Sequence, residues 1–404
     1  MFFRDLKKYG GEKMKKLFMV FMAAFLFVGI VACGGTTTQA PTTADPNVTT
    51  GTPTTAEPTT VDPYADEKIV LITDKGDITD KSFNQGAFEG VQNYATDMGI
   101  EYGYLKPADA TDADYIAAIE QAIADGATVI VTPGYLFETA VNNMQTANPD
   151  VKFIILDANP ANVGTLEENT HSIYYAEEQA GFLAGYAAVV EGYRHLGFMG
   201  GLAVPAVQRF GHGYIQGIAQ AAADLGLADG AITVDYLYTG DFAATPEVQA
   251  AAAAMYNSGV EVIFACGGAV GQSVMAAAGA ADGKVIGVDV DQSADSETVI
   301  TSAMKSLALS VELALAAIFE DGTWEDDFGG VSVVLGAEVG GIGLPQDFSR
   351  FENFDQADYD TLYAKLVDGT IVVSDVIGAF GDDGTAALQF ETAKVDVNVI
   401  VFEG

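Results

Sequence analysis

From Lys68 onward the chain alternates short, almost wholly apolar runs with amphipathic stretches of helical period. "KIVLIT" (68–73) leads into a helix near Phe83. After it come "IEYGYL", a helix through Tyr115 to Asp125, "ATVIVT", a helix through Phe137 to Asn148, and "VKFIILD" (151–157). The series resumes after the helix "EEQAGFLAGYAAVVEG" with "HLGFMGG", "ITVDYLY", "VEVIFACGG" and "KVIGVDV" (284–290), each separated by a further helix. Continuous apolar runs spaced by helices are the pattern of parallel strands buried on both faces. Two such series predict two doubly wound α/β lobes.

Open parallel sheets bind ligands beyond the carboxyl ends of their strands, so the residues that end each run are the candidates. They are Thr73-Asp74, Thr132-Pro133-Gly134, Asp157, Gly200-Gly201, Gly240-Asp241-Phe242, Gly267-Gly268 and Asp289. Taken singly, such acids equally suit helix caps and such glycines turns; the recurrence at one rim favours a ligand cleft. In the opening helix, "KSFNQGAFEGVQNYA", Phe83 and Phe88 project about 140° apart. Phe83, Ala87, Val91 and Tyr94 form one packing stripe, which assigns Phe83 to the core. Phe88 shares its side with Asn84 and Gln85, which reads either as a wall of the cleft or as an exposed aromatic. Lys305, taken alone, reads as an exposed helix charge.

Composition narrows the function. With 404 residues, 49% of them hydrophobic, the chain has ample core for two lobes. A formal charge of -38, from 56 acidic and 18 basic residues, excludes a nucleic-acid partner, because phosphate runs need cations. Lys13, Lys15 and Lys16 precede the apolar run Leu17 to Val31, followed by "ACGG". That is a signal peptide, with Met14 an alternative start, and "IVAC" resembles a bacterial lipobox that would make Cys33 the lipidated N-terminus. Residues 34 to about 65 are a Thr/Pro/Ala tether too polar to bury a core.

Catalytic signatures fail. Cys33 and Cys266 are the only cysteines, and His171, His195 and His212 lack metal-ligand spacing. "FMGGLAVP" and "CGGAVGQS" match neither GxGxxG nor GxxxxGK[ST], and GxSxG is absent. The expectation is a binding protein with no cofactor, no metal and no catalysis.

Six stretches together resemble a known family: "DKSFNQGAFEG", "NTHSIYYAEEQAGFLAGYAA", "GFMGGLAVPAVQRFGHGYIQG", "VIFACGGAVGQSVMAAA", "GVDVDQS" and "VITSAMKSL", between about Lys68 and Phe351. The chain is similar to the basic membrane protein family of lipoproteins, purine nucleoside receptor-like substrate-binding proteins of ABC transporters. The resemblance implies the type I periplasmic-binding-protein fold, with a nucleoside clamped between two parallel-sheet lobes. It implies that Phe88 and Phe242 stack on the base, that Asn84 and Asp157 contact it, and that Asp289 and Lys305 hold the ribose. Asp80 and Gly268 complete the expected ligand set, and Phe210 is a weaker candidate for the wall. The family places two consecutive acids before "KSFN", whereas this chain has Thr79-Asp80.

The expected organisation is a signal peptide (1–32), a tether (33–65), a first lobe of 66–172 plus about 304–328, and a second of 173–303 plus about 329–404. The expected partners are a nucleoside and ABC permease subunits, with a lipid anchor on the extracytoplasmic face of the cell membrane. A receptor for a sugar or small signalling molecule on the same fold is the alternative, and a nucleoside hydrolase, which would need a divalent metal, a more distant one.

Overall fold

The computed structural model describes residues 63–376 and 393–402. The signal peptide, Cys33 and nearly all of the tether lie outside the described residues. The apolar runs form parallel strands as expected: β1 (Lys68–Ile72), β2 (Glu101–Leu105), β3 (Val129–Pro133), β4 (Lys152–Leu156) and β5 (Thr170–Tyr175) in the first half. The second half supplies β6 (His195–Gly200), β7 (Ile232–Tyr238), β8 (Val262–Cys266), β9 (Lys284–Asp289) and β10 (Val299–Lys305), followed by β11 (Val331–Leu335), β12 (Ile342–Gly343) and β13 (Val395–Val399).

The helices are α1 (Phe83–Met98), α2 (Asp112–Ala124), α3 (Glu138–Ala147), α4 (Glu177–Glu191), α5 (Pro205–Asp224), α6 (Pro246–Asn257), α7 (Val270–Ala281), α8 (Leu307–Phe319) and α9 (Gln356–Val367). Their starts are chemically marked. Thr111 Oγ1 accepts from the Asp114 amide before α2, Thr245 does the same for Val248 before α6, and Asp355 and Asp358 form a capping box on α9.

The described strands make two sheets, ordered β11-β5-β4-β3-β1-β2 and β12-β10-β9-β8-β6-β7-β13. All pairings are parallel except β10 with β12. In the first lobe α1 and α8 cover one face and α2 and α3 the other. In the second, α4 and α5 cover one face and α6 and α7 the other. Helices α4 and α5 touch through backbone: a Cβ on Gly213 would lie 1.9 Å from the Glu178 carbonyl oxygen, and one on Gly181 2.1 Å from that of Phe210. No larger residue fits either place. The two sheets are the two α/β lobes of the type I periplasmic-binding-protein fold.

Three crossings join the lobes, after β5, β10 and β11, and they lie side by side. Ala176 donates its N–H to Leu335 at 3.1 Å, and Ser306 donates its own to Gly341 at 2.9 Å. The lobe boundaries differ from expectation at all three crossings: β5 stays in the first sheet through Tyr175, so the first crossing falls at Ala176 and not after residue 172. Met304 and Lys305 still pair with the second sheet, so the second crossing falls at Ser306. "VSVVL" (331–335) pairs with β5 in the first sheet, so the last return follows Leu335 and not residue 328. Gly329-Gly330 looks like a terminator, but the β-branched run behind it is what the first sheet needs to cover its β5 edge.

Candidate functional site

The carboxyl ends of β1, β3 and β4 in one lobe face those of β7, β8, β9 and β10 in the other across a cavity of ≈ 460 Å³. Among the expected residues, Asp80, Asn84, Asp157, Phe242, Gly268, Asp289 and Lys305 all line it, and so does Phe210. Phe88 does not. Its ring packs 5.5 Å from Tyr104 and 6.2 Å from Tyr102, on the outer edge strand β2.

Phe83 is the α1 aromatic that lines the cavity. The stripe reading was correct in direction and wrong in depth: Ala87, Val91 and Tyr94 on the same face are buried against the sheet. Phe83 begins the helix, one turn earlier, where the stripe overhangs the strand ends and meets the cleft. A helical face continues past the sheet it packs on, and periodicity does not report where the sheet stops.

The loop from β1 into α1 is held by its own polar groups. Asp80 caps the helix: Oδ1 accepts from the amides of Ser82 (2.9 Å) and Gln85 (3.1 Å), Oδ2 from that of Asn84 (3.0 Å). Asn84 Nδ2 donates to Asp74 Oδ1 at 2.8 Å and to Asp80 Oδ2 at 2.9 Å, and its Oδ1 accepts from the Asp74 amide. Both hydrogens of that amide are therefore committed, so Asn84 arranges acids at the rim with no donor left for a ligand. Burial pushes the Asp74 carboxyl up to about 6, reinforced by the nearby charges of Asp80 and Asp289. Asp80 is raised as well, by the same desolvation.

Lys305 lies at the base of the cavity, beside the crossing at Ser306, with its side chain only 2% exposed. This overturns the exposed helix charge, since the residue ends a buried strand. Its Nζ is 2.5 Å from Asp157 Oδ2, 3.1 Å from Glu177 Oε1 and 3.8 Å from Asp289 Oδ1. The ammonium also lies 4.8, 5.2 and 5.4 Å from the ring centroids of Phe83, Phe210 and Tyr175. Glu177, fully buried, accepts in addition from Arg209 Nε at 2.6 Å. Three carboxylates around one lysine hold its pKa well above the ordinary value, while desolvation raises Asp157 and Asp289 against the pull of that lysine.

Asp157, just after β4, and Asp289, the last residue of β9, both lie in the left-handed region, with φ of 57° and 67°. Aspartate tolerates that backbone at a cost, and at both positions the strain falls at the rim of the cavity. Asp289 Oδ2 accepts from Ser82 Oγ of the opposite lobe at 2.5 Å. Asp157 Oδ1 is buried and, among the described residues, accepts no hydrogen bond. Gly268 (φ 58°) sits against Phe242, with 3.6 Å from its Cβ position to Phe242 Cβ.

Glu177 escaped the sequence reading. Its only signal was two acids opening an apolar helix in "AEEQAGFLAG", which reads first as a match to the helix dipole.

Two lobes with a cavity between their strand ends are the architecture of the type I periplasmic-binding class. Residues 67–376 match the family described as ABC transporter substrate-binding protein PnrA-like, and the chain belongs to it. Among relatives, the "ABC transporter nucleoside-binding protein BmpA" of Lactococcus lactis is 29% identical over 76% of this chain and 89% of its own. Basic membrane protein B of Borreliella burgdorferi is 29% identical over 77% and 86%. A solved ABC transporter solute-binding protein from Aeropyrum pernix superposes with a TM-score of 0.65 at 21% identity, covering 76% of this chain and 93% of that one. One from Conexibacter woesei gives 0.61 at 25%, covering 76% and 98%.

Proposed function

We propose that this protein captures purine nucleosides and delivers them to an ABC permease, anchored to the extracytoplasmic face of the membrane through lipid on Cys33 and held off the surface by the 33–65 tether. The observation that carries the ligand class is the mixture lining the cavity. The aromatics Phe83, Tyr135, Phe210 and Phe242 stand beside six carboxylates (Asp74, Asp77, Asp80, Asp157, Asp241, Asp289) and only three lysines (Lys75, Lys106, Lys305).

Rings suit the faces of a base, where each stack contributes about 1–3 kcal/mol. Carboxylates suit donors such as ring N–H, exocyclic amine and ribose hydroxyls, and a hydrogen bond to a charged acceptor contributes about 1.5–3 kcal/mol. In this reading Phe83 and Phe242 take the base, Asp157 Oδ1 accepts from it, and Asp289 and Lys305 hold the ribose. Asp80 and Asn84 shape the rim from behind. The acidic excess repels phosphate, which favours a nucleoside over a nucleotide.

The name borne by the Lactococcus relative supports the nucleoside class. Relatives are named as substrate-binding proteins, and we assign no catalytic step to the cavity. Calorimetric titration of the purified domain with guanosine, GMP and ribose tests the reading. Guanosine is expected to bind at least ten times more tightly than either competitor. Tight binding of ribose alone would make the protein a sugar receptor, and release of free guanine during incubation would make it a hydrolase.

A further inference from the structure

The turn that follows β7 carries Phe242, and Asp241 organises that turn from within. Its Oδ1 accepts from the amides of Phe242 at 2.7 Å and Ala243 at 3.2 Å, while Thr239 Oγ1 donates to the Asp241 carbonyl at 2.7 Å. Phe242 is pressed onto backbone: a Cβ on Gly201 would lie 2.3 Å from Phe242 Cδ1. The ring's position thus follows the turn. The second carboxylate oxygen faces the other lobe, where Lys75 Nζ, from the loop after β1, donates to Asp241 Oδ2 at 2.5 Å. Both side chains line the cavity and stay open to solvent, at 36% and 47% exposure. Lys106, the other exposed lysine of the cavity, is tied within its own lobe to Asp77. Among the described residues the other cross-cleft polar contacts include Lys305 to Asp157 at the base of the cavity, and Ser82 to Asp289, Gln292 to the Lys81 carbonyl and Lys81 to Asp295 around the end of β9. Lys75 and Asp241 therefore close the cavity at a separate strand end.

We infer that Asp241 is a positioning residue with two tasks: Oδ1 fixes the turn that presents Phe242, and Oδ2 latches to Lys75, so that closing the lobes and seating the aromatic wall are one event and ligand escape requires breaking the pair. The choice of guanosine as probe rests on the nucleoside reading above; the latch rests on the geometry. An exposed ion pair contributes modestly and is screened by salt, which sets the size and the signature of the effect.

Stopped-flow release of guanosine tests the inference in wild type, Lys75→Met, Asp241→Asn and the double variant. Asn keeps an oxygen for the two amides and removes the charge, so the turn persists while the latch is lost. Each single variant is expected to release guanosine about two- to five-fold faster. The double variant should be no faster than either single one, and wild-type release should accelerate with salt until it matches the variants. Unchanged release, additive single effects or a salt-independent wild type would overturn the latch. If guanosine fails to bind wild type, the nucleoside reading falls and the latch is read on ligand-free protein, from the distance between spin labels on the two lobes. That distance should widen in Lys75→Met and, in wild type alone, with salt; an unchanged distance overturns the latch.

Discussion

The two lips of the cavity satisfy their polar groups in opposite ways. On the first lobe, Asp74, Asp80 and Asn84 bond one another and the amides of their own loop. On the second, Asp241 and Asp289 each send an oxygen across the cleft, to Lys75 and Ser82. One lip is preorganised and the other is completed by closure. Changes on the first lip should therefore be felt in folding, and changes on the second in ligand exchange.

Lys305 joins the two at the hinge, and removing it should have the largest effect. Lys305→Met leaves Asp157 and Asp289 buried without a cation and Glu177 with Arg209 alone, and we expect a loss of about 3–5 kcal/mol in urea unfolding. On the first lip, Asp80→Ala strips the cap from α1 and leaves three amides without an acceptor. The same unfolding experiment should show a loss of about 2–3 kcal/mol. A variant that instead keeps full stability and loses only ligand would make Asp80 a ligand contact and erase the contrast between the lips.

Asp74 sharpens the contrast through pH. Its carboxyl titrates near 6 in the fold against an ordinary 3.8. The fold favours the protonated form, so its contribution is fully retained below about 4, is lost as pH rises through 6, and stays lost above. Asp74→Asn should leave stability unchanged near pH 3.5 and raise it by roughly 1–2 kcal/mol at pH 8. Melting curves at the two pH values check the sign. A gain confined to low pH would contradict it.

Much of this is legible in the sequence. The alternation of buried runs and helices specified parallel sheets, and a parallel sheet puts its chemistry at the strand ends, which is why Asp157, Phe242, Gly268 and Asp289 were expected at the cavity they line. The errors have one cause: a pattern along the chain carries direction but not extent. Phe83 shares a face with Val91, yet only the third dimension reveals that the sheet ends between them. "VSVVL" was not read as a strand, and which sheet it joins depends on β5 having a free edge. Glu177 belongs to a charge cluster assembled from β4, α4, α5, β9 and β10, five elements that no local window contains.

The placement of the two phenylalanines of α1 is the central claim, and one paired measurement tests it: guanosine calorimetry and melting curves on Phe83→Ala and Phe88→Ala. Phe83→Ala should lose about 1–3 kcal/mol of binding and keep its stability within about 1 kcal/mol. Phe88→Ala should bind like wild type and lose roughly 1–2 kcal/mol of stability, because its ring is half-buried against Tyr102 and Tyr104. If Phe88→Ala abolishes guanosine binding while Phe83→Ala binds normally, the aromatic wall is misassigned and the account of the site fails.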